Sequence, residues 1–281
     1  MPQGGDNATL RPADFAAIAA IMQSDARIHL SDAKVTLVQS RLARRLRQHG
    51  LANFADYVGV LGHDADERAA MVVALTTNHT HFFRENHHFD HFRDVAMPRL
   101  QPQARHRPLR IWSAGCSTGE EVHSIAMCLL GPARSAAGWL RGADVKLLAT
   151  DLAPHVVAAT RRGVYTTASV APVPAPYRSA WIHEDGDDAT MADPARALVT
   201  AQVLNLFEPW PMRRQFDVIF CRNVMIYFDD AAKSELEARL VDSLAPGGYL
   251  YIGHSERLIG PAAARMESCG QTIYTKPEGR S

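Results

Sequence analysis

The segment RIWSAGCSTGEEVHSIAM, residues 110–127, is the most informative part of this sequence about its architecture. A short apolar strand leads into a turn that holds Gly115 and Gly119, and a helix then begins with Glu120 and Glu121. This order is typical of a nucleotide-binding turn in a doubly wound α/β fold. Two carboxylates in the first helical turn would repel a phosphate, so the stretch raises the question of which ligand suits it.

Two phosphate-binding interpretations of this turn fail. A P-loop requires a lysine after its last glycine, and here Glu120 follows Gly119. A dinucleotide turn requires G-x-G-x-x-G, whereas Gly115 and Gly119 are separated by three residues, and its pyrophosphate would face two carboxylates. On the turn alone, a tight strand–helix connection without any ligand remains open.

The next predicted strand ends in an acidic residue. Asp151 closes LLATD, at the position where doubly wound folds place an acid that binds ribose hydroxyls. A helix N-cap explains Asp151 alone equally well. Combined with a turn that disfavours phosphate, a ribose acceptor favours S-adenosylmethionine, which has a ribose, an ammonium and a sulfonium but no phosphate.

Strands and helices alternate from about residue 108. Four apolar stretches, the first three followed by helices, predict a parallel doubly wound sheet: residues 109–115, 145–151, 216–223 and 247–254. Residues 271–276 suggest a further strand. Arg222 and Asn223 lie at the carboxyl end of the third strand, where open α/β sheets bind ligands, so a ligand contact is favoured over loop capping.

Two other regions differ from this alternation. Between Tyr165 and Val203 the chain is rich in Pro, Ala and Asp, which predicts an insertion with a small antiparallel piece. Residues 11–100 predict helices only, and the clearest covers residues 32–49, with an apolar stripe along one face. That stripe is Val35, Val38, Leu42 and Leu46, and a basic face is predicted opposite it at Arg41, Arg44 and Arg47.

Composition excludes several classes of protein. The 30 basic and 30 acidic residues give a formal net charge of +0, so no overall field attracts nucleic acid or an anionic membrane. Scattered cysteines without a C-x-x-C pair indicate free thiols in a reducing compartment. Neither a signal peptide nor a membrane span is predicted. We expect a cytoplasmic protein that binds no nucleic acid and does not insert into membranes.

Six stretches together resemble the CheR-type chemotaxis receptor methyltransferases, which are protein-glutamate O-methyltransferases. They are ALTTNHTHFFREN (74–86), IWSAGCSTGEE (111–121), LLATDL (147–152), NLFE (205–208), FCRNVMIYFD (220–229) and LAPGGYLYIGHSE (244–256). The resemblance implies an all-α N-terminal domain over residues 11–95, used for receptor recognition and part of the cofactor site. It also implies a Rossmann-like methyltransferase domain over residues 96–281, with a β-subdomain inserted at about residues 165–202.

The resemblance further implies which residues form the site. Arg84 and Tyr227 are expected nearest the transferred methyl group, and the planar guanidinium of Arg84 suits a carboxylate. The expected contacts of S-adenosylmethionine, and of its product S-adenosylhomocysteine, are Asn78, Thr80, Arg84, Gly115, Glu121, Asp151, Asn205, Leu206, Arg222 and Asn223.

The implied activity is methyl transfer to glutamate side chains of a chemoreceptor's cytoplasmic helical bundle, which forms γ-methyl esters. Arg41, Arg44 and Arg47 are expected to meet this bundle, and the protein is expected to act as a monomer. Two alternatives remain open: a non-catalytic signalling module that binds the cofactor or its product, and a methyltransferase of another protein.

Three features depart from the family pattern or suggest other chemistry. Val122 and His123 replace the usual Pro-Tyr, which leaves open whether the polar contact of that tyrosine near the substrate is lost or is replaced by His123. The acidic loop at residues 184–195 argues against binding of a receptor tether. The histidine-rich stretch at residues 79–91 lacks a complete ligand set, so no metal is expected.

Overall fold

The computed structural model describes residues 8–279, which form two compact units. The first unit contains the described residues up to Thr77, together with the short segment Tyr227–Ala232. The second unit contains Asn78–Ile226 and the described chain from Lys233 onward. Within residues 8–279, no helix is both long enough and apolar enough to cross a membrane.

The first unit is helical, as predicted. Its four helices are α1 (Pro12–Ala26), α2 (Val35–Gln48), α3 (Phe54–Leu61) and α4 (Ala65–Leu75). A 3-10 turn at Asp32–Lys34 precedes α2, so the α-helix begins later than predicted. Side chains cap two of the helices, because Asn53 and Asp64 accept hydrogen bonds from backbone amides in the first turns of α3 and α4.

A buried carboxylate links three of these helices. Glu67 in α4 is 3% exposed and accepts hydrogen bonds from Tyr57 Oη (2.6 Å) and Arg45 Nε (2.9 Å). His49 Nε2 lies 2.7 Å from its other oxygen. Burial alone would raise the pKa of Glu67, but these three partners outweigh burial and lower the pKa below its ordinary value. The charged form of Glu67 therefore stabilises the helical unit.

The predicted domain boundary after residue 95 is wrong. The helical stretch between residues 87 and 100 consists of α5 (His87–His91), a π-helical turn and α6 (Met97–Leu100). Its apolar side chains, including Phe89 and Phe92, belong to the core of the second unit. Sequence periodicity identifies this stretch as helical but does not show which core buries it.

The remaining elements follow in chain order. Up to the middle of the second unit they are β1 (Leu109–Ala114), α7 (Glu120–Leu130), β2 (Val145–Asp151), α8 (Pro154–Arg162), β3 (Val164–Thr166), α9 (Thr167–Val170), α10 (Ala175–Trp181), β4 (Ile182–Asp185) and β5 (Asp188–Met191). They continue with α11 (Asp193–Ala197), β6 (Val199–Val203), β7 (Phe216–Cys221), α12 (Asp230–Ser243), β8 (Leu244–Ile252), β9 (Glu267–Gly270) and β10 (Ile273–Thr275).

The main sheet has seven strands in the order β6-β2-β1-β7-β8-β10-β9. The first five are parallel, and β10 runs antiparallel to both of its neighbours. This arrangement confirms the predicted Rossmann-like sheet, including its four principal strands and the added C-terminal strand. Helix α7 packs in the core beside β1, and all eleven of its residues are buried.

A separate sheet in the order β3-β5-β4 confirms the small antiparallel piece. The predicted end of the insertion at about residue 202 is wrong. Strand β6 pairs in parallel with β2, with Leu147 opposite Val199 and Asp151 opposite Val203, so it belongs to the main sheet. The insertion proper ends before β6, which has only five residues and cannot be separated from the insertion by its sequence alone.

Candidate cofactor site and active site

The turn between β1 and α7 is too tight for side chains at its glycines. Gly115 and Gly119 have φ values of 81° and 101°, which favour glycine. A Cβ on Gly115 would lie 2.4 Å from Cγ2 of Val224, and one on Gly119 would lie 2.8 Å from the hydroxyl of Tyr165. The glycines therefore let the turn fold closely against its neighbours.

Ser117 in this turn joins two of the predicted site residues. Its backbone amide donates to Oδ2 of Asp151 (2.9 Å), and its hydroxyl donates to the carbonyl of Asn78 (2.9 Å). The other oxygen of Asp151 accepts from the amide of Ala153 (3.0 Å), while Ala153 itself is the N-cap of α8. Burial raises the pKa of Asp151 above its ordinary value, and the backbone hydrogen bonds partly oppose that rise.

The two carboxylates at the start of α7 are buried and paired inside the protein. Glu120 accepts a hydrogen bond from Thr118 Oγ1 (2.6 Å). Glu121 accepts one from Ser113 Oγ (2.7 Å) and one from Arg222 Nη1 (3.0 Å). Burial raises the pKa of both carboxyl groups. Arg222 therefore compensates the charge of Glu121, whereas Glu120 is bound by a neutral hydroxyl.

Arg222 also organises the segment that precedes α5. Its buried guanidinium donates to the backbone carbonyl of Arg84 and lies 3.3 Å from Oε2 of Glu85. Asn223 Nδ2 donates to the other oxygen of Glu85 at 3.3 Å. The structure thus brings the predicted residues Glu121, Arg222 and Asn223 into one network, together with the backbone of Arg84. Sequence reasoning missed Glu85, although its FFRE motif was part of the family resemblance.

A second carboxylate that sequence reasoning missed holds the loop after β7. Glu256 is buried and accepts hydrogen bonds from three backbone amides, those of Gly253 (2.6 Å), Asn223 (2.9 Å) and Ile226 (3.2 Å). Asn223 has a φ of 57°, in the left-handed region that is unfavourable for most side chains. Glu256 therefore helps to hold Asn223 in this conformation.

The predicted contacts Asn205 and Leu206 lie in the loop after β6. Asn205 Oδ1 accepts from the amide of Phe207 at 3.0 Å. The carbonyl of Leu206 accepts from the indole of Trp210 (3.2 Å) and from Arg239 Nη1 (2.6 Å). The guanidinium of Arg239 also lies over the Trp210 ring, 4.2 Å from its centroid. Hydrogen bonds and the contact between Arg239 and Trp210 therefore fix the conformation of this loop.

The two residues expected nearest the methyl group belong to different units. In the second unit, Arg84 donates to the carbonyl of His79 at 3.0 Å, and its side chain is partly exposed. Thr80 lies in the same segment and is half-buried. In the first unit, the hydroxyl of Tyr227 lies 3.3 Å from the carbonyl of Thr77, to which it donates.

One arginine of the predicted basic face has an internal role. Arg41 is half-buried and donates to the carbonyls of Leu75 (2.7 Å) and Thr76 (2.9 Å), and to the hydroxyl of Thr77 (2.9 Å). Its guanidinium therefore binds the carboxyl end of α4, as expected from the polarity of a helix C-terminus. Arg44 and Arg47 are exposed. Arg41 therefore differs from the other two arginines of the predicted basic face, because its guanidinium is hydrogen-bonded within the first unit.

The histidines take part in packing and internal hydrogen bonds. His123 is fully buried, with Nε2 3.2 Å from the carbonyl of Thr160, and burial lowers its pKa to about 4. In the structure the side chain of His123 therefore faces the interior and Thr160, and not solvent. His88 and His91 lie 2.9 Å from the hydroxyls of Thr272 and Tyr251. Among residues 8–279, no three potential ligands form a metal-binding cluster.

The fold and this site define the class of protein. A Rossmann-like sheet, a glycine turn without a phosphate-binding lysine, and an acid ending β2 are the features of an S-adenosylmethionine-dependent methyltransferase. Residues 78–275 match the CheR methyltransferase SAM binding domain, and residues 13–76 match the all-alpha domain of the same family. The chain belongs to the CheR methyltransferase family.

Several curated relatives cover most of their own length and most of this chain. The Pseudomonas aeruginosa protein named chemotaxis protein methyltransferase 2 is 41% identical over 88% of this chain and 87% of its own. A Rhizobium etli protein named "Probable chemotaxis protein methyltransferase" is 40% identical over 92% of this chain and 99% of its own. The Escherichia coli chemotaxis protein methyltransferase is 36% identical over 94% and 91%. These similarities establish a methyltransferase that uses S-adenosylmethionine.

Proposed function

We propose that this protein methylates glutamate side chains in the cytoplasmic helical bundle of a chemoreceptor and forms γ-methyl esters. The observation that carries the proposal is the likeness to chemotaxis protein methyltransferases along nearly the whole chain, in both the helical and the catalytic parts. We further propose that it acts as a monomer in the cytoplasm, where this part of a receptor lies.

The residues of the second unit fit S-adenosylmethionine. Each oxygen of Asp151 uses one lone pair for a backbone amide, which leaves acceptor capacity for ribose hydroxyls. Arg84 offers planar donors to a carboxylate, and Asn205 and Leu206 lie in a loop fixed by Arg239. We assign the remaining contacts to Asn78, Thr80, Gly115, Glu121, Arg222 and Asn223.

The chemistry requires orientation more than proton transfer. Bound S-adenosylmethionine supplies an electrophilic methyl group. An exposed glutamate has a pKa near about 4.3, so at neutral pH its carboxylate is already the nucleophile. The reaction would join that methyl group to a carboxylate oxygen, with the sulfur of S-adenosylmethionine as the leaving group. No general base is needed, so catalysis consists of alignment, which can contribute up to about 7–11 kcal/mol in enzymes generally. We assign orientation of the carboxylate to Arg84 and Tyr227.

The test is incubation of the purified protein with receptor-containing membranes and cofactor labelled on its methyl group. We expect label on the receptor band that is released by alkali, as a methyl ester requires. Alkali-stable label, or label on another protein, would contradict the receptor-glutamate assignment. Tight cofactor binding with no transfer to any protein would instead indicate a signalling module.

A further inference from the structure

Glu85 has a backbone conformation that its residue type disfavours. Its φ is 56°, in the left-handed region, and Phe83 two residues earlier has a φ of 53°. A non-glycine residue in this region is unfavourable, and it persists where surrounding contacts over-determine the conformation. The side chain of Glu85 supplies such contacts.

Five polar residues surround the carboxylate of Glu85, and Nε of Arg84 (3.9 Å) and Nδ1 of His88 (3.5 Å) are the two more distant ones. Oε1 accepts from Nδ1 of His254 (2.9 Å) and from Nδ2 of Asn223 (3.3 Å), and Oε2 lies 3.3 Å from Nη2 of Arg222. The side chain is 11% exposed. Burial alone would raise the pKa of Glu85, but Arg222 and His254 outweigh burial and lower the pKa to about 2. Glu85 is therefore a carboxylate throughout the physiological pH range.

The two residues that Glu85 binds at the end of β7 need external support. The guanidinium of Arg222 is 2% exposed, so it depends on the carboxylates of Glu85 and Glu121 to compensate its charge. Asn223 adopts a left-handed conformation, with its amide bound by Glu256 and its side chain bound by Glu85. Without the charge of Glu85, Arg222 and Asn223 would each lose one of their partners.

We propose that Glu85 is a positioning residue, which orients Arg222 and Asn223 for cofactor binding and anchors the segment that carries Arg84. This inference rests on the proposed cofactor roles of Arg222 and Asn223. Glu85 itself acts through these neighbours. Its removal is therefore expected to weaken cofactor binding rather than receptor binding.

The test compares Glu85→Gln with Glu237→Gln. Glu237 is a matched control because it is a fully buried carboxylate of the same unit that accepts hydrogen bonds from the backbone amides of Ile259 and Gly260. For both variants and the wild type, the affinity for S-adenosylhomocysteine is measured by calorimetry and the unfolding temperature by circular dichroism. The KM values for cofactor and receptor are measured separately.

We expect Glu85→Gln to raise the Kd for S-adenosylhomocysteine and the KM for cofactor by about tenfold, with an unchanged KM for receptor. Glu237→Gln should lower the unfolding temperature and keep the wild-type Kd. If Glu85→Gln does not fold, Glu85→Asp, which withdraws the charge by one methylene, is judged by the same criterion.

A folded Glu85 variant with wild-type affinity would overturn the inference. An affinity loss of the same size in Glu237→Gln would also overturn it, because general destabilisation would then explain both. If the wild type binds S-adenosylhomocysteine but labels no receptor, the proposed substrate is wrong. The calorimetric comparison of the two variants would still decide the role of Glu85.

Discussion

The backbone amide of Ser117 donates a hydrogen bond to the carboxylate of Asp151 at 2.9 Å, so one side chain joins the turn after β1 to the end of β2. The hydroxyl of Ser117 extends this connection to the carbonyl of Asn78. Asp151 therefore has two roles in the proposed site. It fixes the turn after β1 through the hydrogen bond from Ser117, and its remaining lone pairs can accept from ribose hydroxyls.

These two roles make Asp151→Ala more damaging than Asp151→Asn. Asp151→Ala is expected to raise the Kd values for S-adenosylmethionine and S-adenosylhomocysteine by similar factors of at least about tenfold, because the ribose is common to both. Asp151→Asn keeps one acceptor oxygen and should cost less. Calorimetry with both ligands checks this, and NAD should not compete with either. Unchanged affinity in Asp151→Ala would contradict the ribose assignment.

Arg84→Lys is expected to lower kcat by roughly tenfold or more although the charge is kept. The guanidinium of Arg84 donates to the carbonyl of His79 and still has donors for a carboxylate, and a single ammonium cannot reproduce that planar arrangement. Steady-state methylation at saturating cofactor measures the effect, and unfolding curves verify that the variant is folded. A wild-type rate would remove Arg84 from the catalytic assignment.

Tyr227→Phe is expected to reduce kcat more than cofactor affinity. The hydroxyl contacts the carbonyl of Thr77 and is proposed to orient the substrate carboxylate, whereas the ring itself is retained in the variant. We expect a decrease in kcat on the order of tenfold and a Kd for S-adenosylhomocysteine within about twofold of wild type. The opposite pattern, a weakened Kd with normal kcat, would show that Tyr227 serves binding instead.

Reversal of Arg44 and Arg47 to Glu is expected to abolish receptor methylation while cofactor affinity and unfolding remain as in the wild type. Both residues are exposed on α2, and complementary charge would steer the encounter with an acidic receptor surface. Wild-type methylation should also fall as salt rises, because exposed charges are screened beyond about 8–10 Å.

The matched control for this double reversal replaces Arg213 and Arg214, two exposed arginines of the other unit, by Glu. It makes the same charge change and should leave methylation unaltered. Arg41 is left unchanged in these variants because it binds the end of α4. Equal loss of methylation in both double variants would show that overall charge, and not α2, determines the rate.

Glu67→Gln is expected to destabilise the helical unit at neutral pH by about 3 kcal/mol, as for one partner removed from a buried ion pair. Because the pKa of Glu67 is lower in the folded protein, its contribution is present above the ordinary carboxyl pKa and is lost as pH falls through the folded pKa. Urea unfolding of both proteins between pH 7 and acid should show the difference shrinking on acidification. A constant difference would argue against charge as the cause.

Local pattern predicted the elements that are long or strongly periodic. The apolar strands before Gly115 and at Asp151 were identified correctly, as were the helices of the first unit, because burial of one face leaves a regular spacing in the sequence. Strand β6 was missed because it has only five residues and directly follows the irregular insertion, so that its place in the main sheet is shown only by its pairing with β2. The boundary between the two units after Thr77 was not predicted either, because it depends on tertiary packing.

The candidate site, like the fold, was predicted only in part. The sequence identified Arg222, Asn223 and Glu121 as polar residues near the strand ends, but not the carboxylates of Glu85 and Glu256 that hold them. Both lie in short irregular segments, where a charged residue is ordinarily solvated. The internal hydrogen bonds of Arg41 were not predicted for a related reason, since their acceptors are 34 to 36 residues away in the chain.

Helix α7 has a consequence for how this chain tolerates sequence change. All eleven of its residues are buried, so a substitution at any position meets packed neighbours and alters the folding free energy. Helix α2 differs, because its buried positions Val38, Leu42 and Leu46 alternate with exposed ones such as Arg44 and Arg47. Sequence change at the exposed positions of α2 is therefore expected to cost little folding free energy, whereas α7 is expected to lose stability on substitution at every position.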